Sequence, residues 1–117
     1  MSESIARTKA IKFALRIVGL YKYLTEQKKE FVLSKQILLS GSFIAKHVIA
    51  ALHARSKEGF SNEMYVALQK SLETDLWLLL LNEGEFINDE QHESMKTDCV
   101  EMIKLTSAIS KTSHQDE

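Results

Sequence analysis

Apolar positions return every three or four residues in four separate stretches, the spacing that places them on one side of a helix. In the first stretch Phe13, Ile17, Leu20 and Leu24 form one stripe. In the second, Leu33, Ile37, Ile44, Val48 and Ala51 share a face, with Ser40 and Gly41 beside them. The third runs through Met64, Leu68, Leu72, Leu76 and Leu79, and the fourth through Met95, Cys99, Met102, Thr106 and Ile109. The pattern predicts helices over residues 4–27, 32–55, 61–83 and 88–110, with polar residues 111–117 as a frayed tail.

Local signals set the expected ends. Ser61 is read as the N-cap of the third helix, with Phe60 stapled against Tyr65. Gly84 is read as its stop in a left-handed conformation. Asn88 and Gln91 have capping-box spacing, and Asp89, Glu90 and Glu93 suit the positive end of the fourth helix. The Ser40-Gly41-Ser42 step is read as a point where a neighbouring helix approaches closely. Four such helices with short links predict a single all-α domain, an up-down-up-down antiparallel four-helix bundle.

The apolar positions exceed what one stripe per helix requires. Ile11, Leu15 and Val18 lie away from the first stripe, and Trp77 and Leu81 point away from the third. Spare apolar faces of this kind usually mark interfaces. These five residues are therefore the expected contacts of a homo-oligomer. Glu73 and Asp75, in a helix that is apolar almost all round, are expected to be buried polar groups. Their candidate partners are Lys46, His47 and Arg55.

Charge adds an asymmetry. The net charge is −1, but residues 1–35 hold eight Lys/Arg against three Asp/Glu, whereas residues 73–117 hold three against eleven. The favoured reading is that the two ends pair, within one chain or between copies. The other is a polyanionic partner: Lys9, Lys12 and Arg16 fall on one flank of the first helix, and Lys28 and Lys29 follow it, a stripe able to track an RNA or DNA backbone. A lone cysteine, Cys99, forms no internal disulfide and points to a reducing cytoplasm. The longest apolar run, Leu76 to Leu81, is far short of the roughly 20 residues that span a membrane.

Catalytic chemistry finds little footing. Bundle di-metal sites use Glu-x-x-His twice with two further acids; here only Asp89-x-x-His92 stands, at a helix start where capping explains the acid. Cys99 sits on an apolar stripe, the place of an inert buried thiol. The four glycines are scattered at 19, 41, 59 and 84, with no phosphate-binding loop. No enzyme activity, metal or cofactor is expected.

Several stretches, in order, resemble the four-helix bundle family of 23S rRNA-intervening sequence proteins. They are Leu20-Tyr21-Lys22, Leu33-Ser34-Lys35-Gln36, Ser40-Gly41-Ser42 with Ile44, Ser56-Lys57 with Phe60, Ala67-Leu68, and Glu73-Thr74 with Trp77-Leu78. The resemblance implies a bundle that closes into a ring, a homopentamer, with no enzymatic activity. A related branch serves diversity-generating retroelements as an accessory factor, binding RNA and a reverse transcriptase through a basic surface. The sequence departs from the family pattern at Leu39 and Leu72, where basic residues are usual. It departs again at Ala45-Lys46-His47 and Ala50, so the polar partners of Glu73 are reduced.

Overall fold

The structure, a computed structural model, describes residues 2–115, with side chains described for 5–111. It consists of four helices: α1 Ser2–Glu26, α2 Leu33–Leu52, α3 Lys57–Glu83 and α4 Asp89–Gln115. No strand occurs among the described residues. Of the expected tail, 111–115 continue α4, and 116–117 lie outside the described residues.

Each helix turns a row of side chains inward in steps of three and four, strictly alternating on α1, α2 and α3. α1 buries Ala6, Ala10, Phe13, Ile17, Leu20 and Leu24; α2 buries Ser34, Ile37, Gly41, Ile44, Val48 and Ala51. α4 contributes Met95, Cys99, Met102, Thr106 and Ser110. Alternating three- and four-residue steps average 3.5 residues, which keeps a row facing a partner helix along its length.

The third helix presents a different face from the one its leucines suggest. Its buried row is Met64, Ala67, Ser71, Thr74, Leu78 and Leu81, while Leu72, Leu76 and Leu79 are exposed. The expected stripe moved in steps of four. Three such steps rotate a position by about 120° around the axis at 3.6 residues per turn. The apolar series therefore winds off the core, and the row of smaller residues that holds its bearing faces inward.

Small residues let the middle of the bundle close tightly. A Cβ added at Gly41 would stand 2.7 Å from Ile17 Cγ1 and 2.9 Å from Cγ2, so α1 and α2 touch there as expected. Across the α2–α3 seam the hydroxyls of Thr74 and Ser40 are 2.9 Å apart. Other buried hydroxyls bond locally: Ser34 donates to Glu30 O at 2.8 Å, Ser71 to Ala67 O at 2.9 Å and Thr106 to Met102 O at 2.7 Å. Buried hydroxyls without such partners would cost about 1–3 kcal/mol each.

The ends correct two expectations and support a third. α3 starts four residues before Ser61: Ser56, in an extended conformation, is the N-cap and accepts the Gly59 N–H at 2.9 Å. Ser61 is buried inside the helix. At the other end Gly84 has φ −80°, and the left-handed residue is Glu85 at φ 67°. Glu85 N–H donates to Asn82 O and Phe86 N–H to Leu81 O, the bond pair of a Schellman cap. Gly84 is still needed for space, since a Cβ there would stand 2.9 Å from Leu80 O. The Asn88–Gln91 capping box is reciprocal, with both bonds at 2.8 Å.

Glu30 holds the start of α2, a role that sequence reasoning missed. Val32 at the N-cap offers no side-chain bond. Instead the buried Glu30 carboxylate accepts the N–H groups of Val32, Leu33 and Ser34 at 3.1, 2.9 and 2.7 Å. Burial pushes its pKa up, but the backbone donors and the Ser34 side chain together pull harder, and the net value lies below the ordinary one.

Candidate oligomer interface

Besides Phe31, Val32 and Leu39, exposed around the start of α2, two apolar surfaces remain uncovered after the core is filled. The larger belongs to α3, where Leu72 is 51% and Leu76 50% exposed, with Leu79, Leu80 and Tyr65 also open to solvent. The smaller belongs to α1, where Leu15 is 66% exposed and Val18 and Ile5 are exposed as well. Neighbouring helices pair in the series α1–α2, α2–α3, α3–α4 and α4–α1; no Cα of α1 lies within 8 Å of α3 among the described residues. The two surfaces thus sit on diagonally opposite helices.

The expected interface residues divide between these surfaces and the interior. Leu15 and Val18 are presented outward. Ile11 is half-buried against the core. Trp77 is also half-buried, packed on the core of its own chain. Leu81 is 0% exposed and cannot touch a second copy. Leu81 is a correction, and its cause is the rotation of α3 that brings Leu78 and Leu81 inward and carries Leu72, Leu76 and Leu79 outward.

Of the two expected buried polar groups, Glu73 is corrected as well. Glu73 is exposed and lies 3.4 Å from Lys70 on the same helix, so it is not a buried group. Asp75 is half-buried, and its Oδ1 is a buried oxygen without a hydrogen-bond partner. None of the proposed partners pairs with either acid. His47 Nδ1 meets Glu63 Oε1 at 2.7 Å, and Lys46 stands over the Phe43 ring at 4.4 Å. Asp75 acts instead on Cys99. Burial, and then the negative charge of Asp75, push the thiol up to about 12, with Lys96 opposing them. The Cys99 Sγ donates to Ser71 O at 3.3 Å, as a structural thiol does.

Much of the basic stripe is already engaged. Lys9 pairs with Glu101, and Arg16 pairs with Asp98 at 2.8 Å while also donating to Ser94 Oγ and Ser94 O. The pairing of the basic and acidic ends occurs within one chain, across the α1–α4 seam. Lys12 stays exposed at that seam. Lys28 and Lys29 are exposed in the α1–α2 link, Lys28 6.0 Å from the Tyr23 ring centroid and Lys29 at φ 55°. Of five expected nucleic-acid contacts, Lys9 and Arg16 are therefore neutralised by α4 and three remain open. Among the described residues no group of three or more His, Cys, Asp or Glu side chains gathers. No described helix is long and apolar enough to cross a membrane.

Fold and surface together define a small all-α protein whose distinguishing feature is an outward leucine face. The chain matches the profile of the 23S rRNA-intervening sequence protein family over residues 2–108, and it belongs to that family. It is also similar to the crystal structure, at 1.70 Å, of a protein with unknown function from the S23 ribosomal protein family of Bacteroides thetaiotaomicron. The two share 43% sequence identity and a TM-score of 0.93, over 95% of this chain and 99% of that one. No curated protein matches the chain.

Proposed function

We propose that this chain is a non-enzymatic, self-associating bundle that serves as a scaffold or adaptor for another macromolecule. The observation that carries this reading is the outward face of α3, where Leu72, Leu76, Leu79 and Leu80 stand exposed over two helical turns. Covering apolar surface is worth about 25 cal/mol per Å², and a contiguous face of this sort usually marks an interaction site. The reading takes the chain as a single domain and an up-down-up-down antiparallel bundle. Paired residues run in opposite order along adjacent helices, which supports it: Ser40–Thr74 and His47–Glu63, or Asn82–Asp89 and Ser71–Cys99.

Copies joined through such a face form a closed ring in this proposal, a homopentamer on the family resemblance. Light scattering on the purified chain tests it. A mass well above 13.3 kDa at micromolar concentration is expected, and a monomeric mass refutes the proposal. Binding of RNA or DNA would rest on Lys12, Lys28 and Lys29, repeated around the ring, and would weaken steeply with salt.

A further inference from the structure

A cavity of about 640 Å³ opens between α3 and α4, towards the end of the bundle where α3 begins and α4 finishes. One face of each helix forms its walls. From α3 come Ser61, Tyr65 and Leu68, four and then three residues apart, with Asn62 beside them. From α4 come Ser107, Ser110 and Lys111, which share a face at i, i+3 and i+4. Two of these serines set the cavity apart from the rest of the interior. Ser61 is 4% and Ser110 8% exposed, yet neither hydroxyl has a hydrogen-bond partner among the described residues. Every other buried hydroxyl, at Ser34, Ser40, Ser71, Thr74 and Thr106, has one. Buried polar groups are as a rule paired, so the partners of Ser61 and Ser110 come from within the cavity that both line.

We propose that this cavity binds a small amphipathic carboxylate, an aliphatic acid of medium chain length. The lining selects that class. Leu68 and the Tyr65 ring offer an apolar wall to a hydrocarbon body. Lys111 is the one charged side chain among the described residues that line the cavity, and an ammonium only donates. The hydroxyls of Ser61, Ser107 and Ser110 can donate beside it, so a singly charged head with several acceptor lone pairs uses all of them at once. A cationic ligand finds no carboxylate there, and a neutral alcohol leaves the ammonium without a counter-charge. The volume of about 640 Å³ falls within the roughly 300–1,000 Å³ of ordinary small-molecule sites. The site needs no second copy of the chain, and one ligand per chain is expected whether copies stand alone or assembled.

Isothermal titration calorimetry of the full chain tests the assignment, with decanoate as the probe and decanol as its uncharged counterpart. One saturable decanoate site per chain is expected, with decanol weaker by roughly tenfold or more, the worth of a charge-assisted hydrogen bond. Lys111→Met should weaken decanoate by a similar factor and leave decanol unchanged. Ser107→Leu should abolish binding of both by filling the cavity; circular dichroism checks its fold, and Ser107→Met replaces it if helicity falls. Four results overturn the proposal: no saturable decanoate binding, which means that water alone completes the two serines; equal affinity for acid and alcohol; a decanoate affinity indifferent to Lys111→Met; or binding that survives Ser107→Leu in a folded chain, which places the ligand elsewhere. A monomeric wild type leaves the site standing, so this inference and the proposed self-association fail separately.

Discussion

Two glycines in this chain should respond to the same substitution with opposite sign. Gly41 lies where α1 and α2 touch; its added Cβ would stand 2.7, 2.9 and 3.1 Å from Ile17 Cγ1, Cγ2 and Cδ1. Ordinary carbon contacts begin near 3.5 Å, so the first of these falls roughly 0.8 Å short. Ile17 cannot swing aside, because a β-branched side chain in a helix is held to one χ1 rotamer. The helices must part, and overpacking of this kind costs about 1–3 kcal/mol. Better helix propensity returns about 1 kcal/mol, leaving Gly41→Ala destabilised by about 1 kcal/mol, within a range of about 0–2. Gly19 is also helical, yet an added Cβ there meets nothing within 4 Å. Gly19→Ala should therefore gain about 1 kcal/mol. Urea denaturation of both variants measures the difference of about 2 kcal/mol, at one fixed protein concentration because an assembling chain has concentration-dependent stability. Removing Ile17 beyond Cβ completes the test: in an Ile17→Ala background, Gly41→Ala should become stabilising. Equal stabilisation at positions 19 and 41 in the wild-type background, or the same loss at 41 in both backgrounds, refutes the close-contact account.

Three other predictions concern single groups. Glu30→Ala should cost about 1–2 kcal/mol by uncapping α2. Because the folded carboxylate titrates below its ordinary value, its contribution is complete above the ordinary range and fades as pH falls through the folded value. The variant and wild type should accordingly converge in stability at acid pH and differ at neutral pH; a difference that persists in acid contradicts the capping role. Cys99, with its thiol pushed up to about 12, should resist a thiol-reactive disulfide in native buffer and react fully in denaturant. Rapid native labelling would show that the thiol is accessible. Glu85→Gly should stabilise the chain by about 0.5–1 kcal/mol, since φ 67° carries a cost of roughly 1–2 kcal/mol for an L side chain and glycine loses part of that gain in the unfolded state; a lower melting temperature refutes it.

The sequence was most readable where apolar bulk and inward direction agree. On α1, Phe13, Ile17, Leu20 and Leu24 are both the bulkiest candidates and the buried ones. The Asn88–Gln91 box was legible because both of its bonds are local. α3 failed because the two signals separate: Ser71 and Thr74 face inward and leucines face out, so counting hydrophobicity selects the wrong side. The clue lay in the alternating three- and four-residue spacing of Met64, Ala67, Ser71, Thr74, Leu78 and Leu81, visible only when small residues are admitted to a core. Glu30 left no readable cap signal, since it stands three residues before α2 and satisfies the helix by folding back. The fate of Lys9 and Arg16 depends on α4, nearly the whole chain away, and regional charge predicted their pairing without saying which acids they meet.

The inversion of α3 constrains the biology as well as the fold. A bundle that needed only to bury its own core gains nothing by placing serine and threonine inside and four leucines outside the same helix. The inward threonine has a local reason: α2 brings Ser40 against it, and the Thr74 hydroxyl bonds to Ser40 and to Lys70 O in the preceding turn. The outward leucines have no such reason within one chain. They lie on the half of α3 that lacks any basic residue, while other exposed apolar side chains stand among bases, Leu15 and Val18 on α1 and Phe31 and Val32 beside Lys28, Lys29 and Lys35.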